Sequence, residues 1–455
     1  MAISKDTIIA PATHYGHAAI HLIRISGTHA INISQKFFKG KKRLCPENAR
    51  QAIYGEISHP TDGVIDQVII TCFVEPHSFT GENMVEISCH GSPFIVDKII
   101  SLYLENGVRL AHPGEFTQRA FLNGKLDLSQ AEAIGDLIYA ENAISHKLAL
   151  KQLKGNFSNL IDQFRQNIIH FASLLELELD FSEEDVEFAN RKELISQLED
   201  IIRQLHKIRE SSKYKKWLQK GFPVAILGRP NAGKSTLLNA LIKEERAIVT
   251  PIPGTTRDTI EETITLHDLT LRIIDTAGIR KTDDPVEKIG IDRSFQKAAE
   301  AFVILYLYDA AETSPEDATQ DLTTIRNINP EAVTLVIANK MDTINDDGKI
   351  PPEHFKISAQ NEQDIDHLKE LLYEKLKSLL PGSDDIYLVN QRQNEALQKA
   401  EDALQRAKTN LLSDISHEFV AMDLRESIHH LSLITGKIST DDLLENIFRN
   451  FCIGK

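Results

Sequence analysis

Eight residues constrain this chain more than any others: Gly228-Arg229-Pro230-Asn231-Ala232-Gly233-Lys234-Ser235, the pattern G-x-x-x-x-G-K-S. The apolar run Pro223–Leu227 precedes them and reads as a strand. Thr236-Leu237-Leu238-Asn239-Ala240-Leu241 follows and reads as a helix. Strand, glycine-rich turn and helix, in that order, let backbone N–H groups wrap a phosphate. Lys234 is expected to reach the β- and γ-phosphates, and the Ser235 hydroxyl to ligate magnesium. Asn231, Ala232, Gly233 and Thr236 fall on the same predicted cradle. A ligand-free glycine turn is the bland alternative, and the flanking strand and helix weigh against it.

Three companions follow in the expected order. Asp275-Thr276-Ala277-Gly278 ends the apolar run Leu271–Ile274. Its carboxylate can hold magnesium through water, and the Gly278 N–H can sense a γ-phosphate. Asn339-Lys340-Met341-Asp342 ends the run Val333–Ala338. Asp342 can accept two hydrogen bonds from the guanine N1–H and amine, a donor pair that adenine lacks, so the motif favours GTP over ATP. Ser358-Ala359 suits a backbone contact to guanine O6. Thr250–Asp258, Thr-Pro-Ile-Pro-Gly-Thr-Thr-Arg-Asp, reads as a first switch, with Thr256 completing the magnesium shell.

One catalytic part is missing. Small GTPases carry a glutamine directly after Asp-x-x-Gly to orient water. Here that position is Ile279, which neither donates nor accepts. Glu287 is the nearby candidate for that task, and a solvated loop charge is its plain alternative. No arginine finger is identifiable; Arg257 and Arg280 lie in the switches without a readable aim. Asn231 can turn its amide oxygen toward a monovalent cation near the phosphates, supplying charge there, or can merely shape the turn.

Around these motifs, residues 217–380 alternate short apolar strands with helical stretches, the pattern of an α/β domain with a mainly parallel sheet. Residues 122–216 and 381–455 are poor in glycine and proline. Their apolar residues fall at helical spacing, as in Leu153, Phe157, Leu160, Ile161 and Phe164, and in Leu424, Ile428, Leu431 and Ile434. Helical texture on both sides suggests one helical domain interrupted by an inserted P-loop domain; independent hairpins are the alternative. Residues 1–121 read as a mixed domain, with strands near Ala19–Ile25, Val64–Val74 and Met84–Ser88. The predicted fold is thus multidomain: an α+β N-terminal domain, then a helical domain holding an inserted α/β nucleotide domain.

The formal net charge of -15 argues against broad attraction to polyphosphates, so any RNA contact needs a local patch or a partner. Residues 1–121 hold 11 Lys+Arg and 11 Asp+Glu, which places the acidity elsewhere. Two basic clusters, Lys39–Arg43 and Lys213–Trp217, are candidates to meet phosphates, with solvated surface as the commoner reading. Cys45, Cys72, Cys89 and Cys452 show no metal spacing or disulfide framework, which fits a reducing cytosol. No run is long and apolar enough to span a bilayer, so a soluble, cytoplasmic protein without membrane insertion is expected.

Three further segments narrow the reading: Ser78-Phe79-Thr80-Gly81-Glu82, the run Pro113–Leu128 (PGEFTQRAFLNGKLDL), and the terminal Phe451-Cys452-Ile453-Gly454-Lys455. With the nucleotide motifs, they resemble the MnmE (TrmE) family of tRNA modification GTPases over essentially the whole chain. The nucleotide motifs alone are shared with ribosome-assembly GTPases that bind ribosomal RNA, which is the rival reading. The resemblance implies a GTP hydrolase acting in wobble-uridine C5 modification of tRNA, of the 5-carboxymethylaminomethyl type. It implies GTP/GDP binding, a homodimer, and a complex with an FAD-dependent MnmG (GidA)-like protein. A tetrahydrofolate derivative, 5-formyl or methylene, would bind residues 1–121, the dimerisation domain, through Arg24, Glu82, Lys125 and Lys455. Potassium would sit among Asn231, Thr250, Ile252 and Thr255, with hydrolysis activated by that ion and by G-domain dimerisation. Magnesium would bind Ser235 and Thr256, and Glu287 would assist hydrolysis. Cys452, four residues from the end, would reach the folate site; a structural thiol is the alternative. One departure stands out. In Thr13-His14-Tyr15-Gly16-His17-Ala18-Ala19, His17 stands where the family usually carries arginine.

Overall fold

The computed structural model describes residues 6–180, 191–242, 262–274, 298–344, 350–380, 386–413 and 416–439, with residues 444, 447–449, 451 and 454. The chain packs as two compact units. One takes Met1–Ile138, Leu150–Leu205 and Gln391–Lys455; the other takes Tyr139–Ala149 and His206–Asn390.

In the first unit, seven strands form one sheet: β1 (Ile8–Pro11), β2 (Ile20–Ser26), β3 (Phe38–Gly40), β4 (Ile53–His59), β5 (Gly63–Phe73), β6 (Met84–His90) and β7 (Arg109–Leu110). Their order is β3-β4-β5-β6-β2-β1-β7. All pairs are antiparallel except β1 with β7. The strands alternate, so one face is buried. His21, Ile23 and Ile25 of β2 point into a core with Ile70, Val85, Ile87, Ile99 and Tyr103, while Arg24 takes the opposite face. Helices Ala30–Phe37 and Pro93–Leu104 supply Ile33, Phe37, Ile99 and Tyr103 to that core.

The helical part of this unit is built from both sides of the intervening segment. Helix Gln391–Leu412 buries the stripe Ala396, Leu397, Ala400, Ala403, Leu404 and Ala407 at three- and four-residue steps. Helix His417–Thr435 buries Val420, Leu424, Leu431 and Ile434; Ile428 is half-buried. Arg392 forks onto Glu132 with two bonds of 2.9 Å, and Arg165 donates to the Ser432 hydroxyl at 3.0 Å. Residues more than 250 positions apart thus share one framework, and the helical domain is interrupted by the other unit.

The second unit is the α/β domain. Its strands are β8 (Phe222–Leu227), β9 (Glu262–Leu266), β10 (Leu269–Ile273), β11 (Val303–Asp309), β12 (Val333–Asn339) and β13 (Phe355–Lys356), in the order β13-β12-β11-β8-β10-β9. Only β9 with β10 is antiparallel. Every residue of β8 and of β11 is buried, as expected of parallel strands covered on both faces. At the base of this sheet Trp217 packs on Phe302 at 4.5 Å between ring centres, and Phe222 on Phe302 at 5.1 Å. Among the described residues no helix is long and apolar enough to cross a membrane.

Candidate functional site

Strand β8 ends at Leu227, and the phosphate loop turns from it into helix Lys234–Ile242. Two glycines make the turn possible. Gly228 has φ +151, and a Cβ there would lie 2.0 Å from the Leu307 carbonyl oxygen. Gly233 has φ +96, and a Cβ would lie 2.2 Å from Asn339 Nδ2. The loop is therefore packed against β11 on one side and the base-recognition motif on the other. Lys234 folds its Nζ onto the carbonyls of Gly228 and Arg229, each at 2.8 Å. Asn231 has a left-handed backbone, φ 61, and is exposed, as is Thr236; Ser235 is half-buried in the first helical turn and Ala232 is buried.

The base-recognition motif leaves the end of β12. Asn339, 2% exposed, donates its amide to the Ala232 carbonyl at 2.8 Å and accepts from the Ala359 N–H at 2.9 Å. One side chain thus joins three predicted segments. Ser358 donates its N–H to Asp364 at 2.7 Å, so both N–H groups expected to serve guanine O6 are engaged within the protein. Lys340 takes a left-handed backbone, φ 64, and Asp342 stands exposed in the turn that follows.

Two anchoring relations escaped the sequence reading. Lys340 Nζ meets buried Asp309, at the end of β11, at 2.6 Å. Arg229 Nε donates to Asp321 at 2.8 Å, and the Tyr306 hydroxyl donates to the same carboxylate at 2.6 Å. Burial alone would raise Asp321; the bonds from Arg229 and Tyr306 outweigh it and hold the carboxyl below its usual range. These partners lie 31 and 92 residues from the motifs they hold, and no local pattern announces them.

Thr250, Ile252, Thr255, Thr256, Asp275, Thr276, Ala277, Gly278, Ile279 and Glu287 lie outside the described residues, as do Cys452 and Lys455. The remaining thiols, Cys45, Cys72 and Cys89, are free.

In the first unit, three of the four residues expected to hold folate, Arg24, Glu82 and Lys125, meet or belong to the segment 76–82. Arg24 forks onto Glu86, its cross-strand partner, at 2.8 and 3.0 Å, and reaches the Gly454 carbonyl at 3.3 Å. Its guanidinium lies over the Phe79 and Phe116 rings at 5.3 and 5.8 Å. Glu82 accepts from Ser26 Oγ at 2.7 Å and from Arg119 at 3.1 Å. The Lys125 stem runs beside Gly81, and its Nζ donates to the Pro76 carbonyl at 2.9 Å. Arg119, 4% exposed, also meets Asp6 at 2.6 Å and Glu115 at 2.9 Å. The atypical loop at His17 is shaped from below. Buried His21 bonds the Thr13 hydroxyl at 2.7 Å and the Gly16 carbonyl at 2.6 Å, leaving His17 exposed.

The fold and the loop geometry define a P-loop GTPase domain, inserted in the chain of a helical domain that follows an α+β domain in sequence. Comparison with known proteins is specific along the whole chain. The family model described as MnmE helical domain matches residues 128–452, and that described as GTP-binding protein TrmE N-terminus matches residues 7–125. A tRNA modification GTPase MnmE of Christiangramia forsetii is 44% identical over 99% of this chain and 99% of its own length. One of Bacteroides thetaiotaomicron is 42% identical over 100% of each. Among solved structures, Era of Aquifex aeolicus bound to GDP.AlF4- is 29% identical but covers 40% of this chain and 66% of its own, with a TM-score of 0.25; the assignment rests on the whole-chain relatives instead. The chain belongs to the MnmE (TrmE) family of tRNA modification GTPases.

Proposed function

We propose that this protein hydrolyses GTP to GDP and phosphate in the C5 modification of wobble uridine in tRNA, of the 5-carboxymethylaminomethyl type. The observation that carries the reading is whole-chain likeness to tRNA modification GTPases, joined to a nucleotide site whose phosphate and base segments are tied through Asn339. Asp342 selects guanine, because a buried base edge without the matching donors leaves the carboxylate unpaired. Lys234 exchanges its two loop carbonyls for phosphate oxygens. Magnesium, held by Ser235 and Thr256, supplies charge at the phosphates. The exposed amide of Asn231, on a left-handed backbone at the loop, fits a potassium ligand, with Thr250, Ile252 and Thr255 as its companions. With Ile279 in place of glutamine, Glu287 assists the attacking water. Activation by potassium and by pairing of two G domains in a homodimer completes this reading.

A tetrahydrofolate derivative, 5-formyl or methylene, fits the N-terminal cluster. Glu82 offers an acceptor, Arg24 and Lys125 offer cations, and Phe79 offers a ring face beside them. Arg24 also meets the Gly454 carbonyl, and Lys455 and Cys452, which lie on either side of Gly454 in the sequence, complete the proposed set. The folate would supply the one-carbon unit, and an FAD-dependent MnmG (GidA)-like partner would act with this chain in the cytoplasm.

Mass spectrometry of wobble uridine in a deletion strain tests the core of the proposal: loss of the modified nucleoside is expected, and an unchanged nucleoside profile overturns it. Turnover in potassium against sodium tests the activation, with markedly faster hydrolysis expected in potassium. Glu287→Ala is expected to cut turnover at near-normal GTP affinity.

A further inference from the structure

The two basic clusters of the sequence have different fates in the structure. In Lys213–Trp217, Lys213 pairs with Glu210 at 2.6 Å and Lys215 donates to the Leu388 carbonyl at 3.0 Å. Two of its three lysines are thus engaged within the protein, and Lys216 alone is exposed without a partner among the described residues. The other cluster differs. Lys36, Lys39, Lys41, Lys42, Arg43 and Arg50 are all exposed, and among the described residues none of the six has an ion-pair partner. Lys42 donates to the Gln51 amide oxygen at 2.8 Å, and Arg50 reaches only the His77 carbonyl at 3.5 Å. Six of the 11 basic residues within 1–121 thus fall between positions 36 and 50, against one carboxylate in that stretch, Glu47.

Two of these cations mark one edge of the N-terminal sheet, and the other four follow on the segment that runs from it. Lys39 lies on β3, the outermost strand, and Lys36 is in the last turn of the helix that leads into it. The segment after β3 is pinned to the frame at both ends, from the helix before β3 to β5, the third strand in. Leu44 donates its N–H to the Gln35 side chain at 2.6 Å, Asn48 donates to the Arg43 carbonyl at 3.0 Å, and Arg50 donates its N–H to the Cys72 carbonyl at 2.8 Å. Glu56 stands opposite Lys39 in the ladder and offsets one charge. Lysines on an edge strand also discourage strand-to-strand aggregation, but only Lys39 lies on β3 itself. Six on a pinned frame, in a chain of net charge -15, concentrate positive charge in one short segment of an acidic chain.

We propose that this edge, centred on β3 and the segment 41–50, is where the chain binds the phosphate backbone of its tRNA. The proposal rests on the tRNA reading above and adds a location to it. Contacts of this kind are sequence-independent and strongly salt-dependent, because each neutralised phosphate releases a counterion. They position the RNA without choosing it.

The test is binding of an unmodified tRNA transcript to the full-length protein, followed by fluorescence anisotropy across a salt series. A Lys39→Gln, Lys41→Gln, Lys42→Gln triple variant is expected to lower affinity at low salt by roughly tenfold or more. It should also reduce the slope of log affinity against log salt by about 2–3, on the order of 0.7–0.9 per lost phosphate contact. GTP turnover without tRNA should be unchanged, which reports that the fold survives. A Lys213→Gln, Lys216→Gln control should keep the wild-type slope. A triple variant that retains the wild-type slope overturns the proposal, as does a wild-type chain that binds no tRNA. Retained tRNA binding with loss of a co-purifying protein partner also overturns it, in favour of a protein interface. Wobble-uridine analysis in the deletion strain is independent of all these outcomes, so failure of the patch and failure of the tRNA reading are distinguishable.

Discussion

Asn339 donates to the carbonyl of Ala232 across 2.8 Å, so the strand that presents the base-recognition motif also holds the phosphate loop. The same amide accepts from Ala359, and both bonds are buried. Asn339→Ala removes two partners at once and leaves an orphaned buried carbonyl and N–H. Each such loss costs about 1–3 kcal/mol. GTP and GDP affinity should fall at least tenfold, measured with a fluorescent nucleotide. Unaltered affinity would show that the loop is held by other means.

Gly233→Ala tests the same junction sterically. The new methyl would sit 2.2 Å from Asn339 Nδ2 on a backbone at φ +96, so both strain and collision oppose it. Nucleotide binding should weaken by roughly 30- to 150-fold, as about 2–3 kcal/mol of distortion is converted to affinity. The helical unit should keep its far-ultraviolet circular dichroism. Wild-type nucleotide binding in this variant would contradict the described loop.

Arg119 is a buried cation facing Asp6, Glu82 and Glu115. Burial alone would raise the Glu115 carboxyl, but bonds from Arg109, the His112 N–H and Arg119 pull it below its usual range. Arg119→Met strands these carboxylates without their central partner, and removing one member of a buried pair costs about 3–5 kcal/mol. Urea denaturation of the N-terminal part should shift accordingly. Arg119→Lys should recover only part of the loss, because an ammonium lacks the planar fork. An unmoved midpoint in Arg119→Met would dismiss the network as incidental.

His354 gives the α/β unit a pH dependence. It is 6% exposed, hydrogen-bonded through Nδ1 to the Tyr308 hydroxyl at 2.9 Å, and burial lowers its pKa from 6.5. The folded protein therefore disfavours the protonated ring while the unfolded chain accepts it. The associated stability is fully present above 6.5 and declines as pH falls from there through the depressed folded value. Thermal melts between pH 5 and 8 should show this slope in the wild type and a flatter one in His354→Gln. Equal slopes would remove His354 as the source.

Much of this was legible in the sequence because the relevant signals are local. Pro223–Leu227 appears as β8, Phe302–Tyr308 as β11 shifted by one residue, and Val333–Ala338 as β12 extended by Asn339. Met84–Ser88 grows into β6. Continuous apolar runs beside glycine-rich turns suffice for such strands. β9 was missed: Glu262–Leu266 alternates Thr with Ile and Leu and joins β10 through a turn at His267, φ 53, with no glycine to mark it. β1 and β4 were missed as well: β1 is four residues long, and β4 breaks its apolar run with Gly55, Glu56 and Ser58. At the site, motif residues carry their own spacing and were found. Asp309, Asp321, Tyr306 and Arg119 work through partners brought close only by the fold, so their roles became visible only with the tertiary structure.

The interruption of the helical domain has a thermodynamic consequence. The chain enters the α/β unit near Ser211 and leaves it near Leu388, and these two crossings touch: Ser211 Oγ bonds the Tyr387 carbonyl at 3.5 Å and Lys215 Nζ the Leu388 carbonyl at 3.0 Å. When the inserted unit is folded, its two ends are delivered side by side. When it is unfolded, the helical host must close a loop of roughly 180 residues, an entropic cost of about 4–5 kcal/mol by the logarithmic loop law. Anything that stabilises the inserted unit, bound nucleotide included, therefore also favours assembly of the helices that the insertion interrupts.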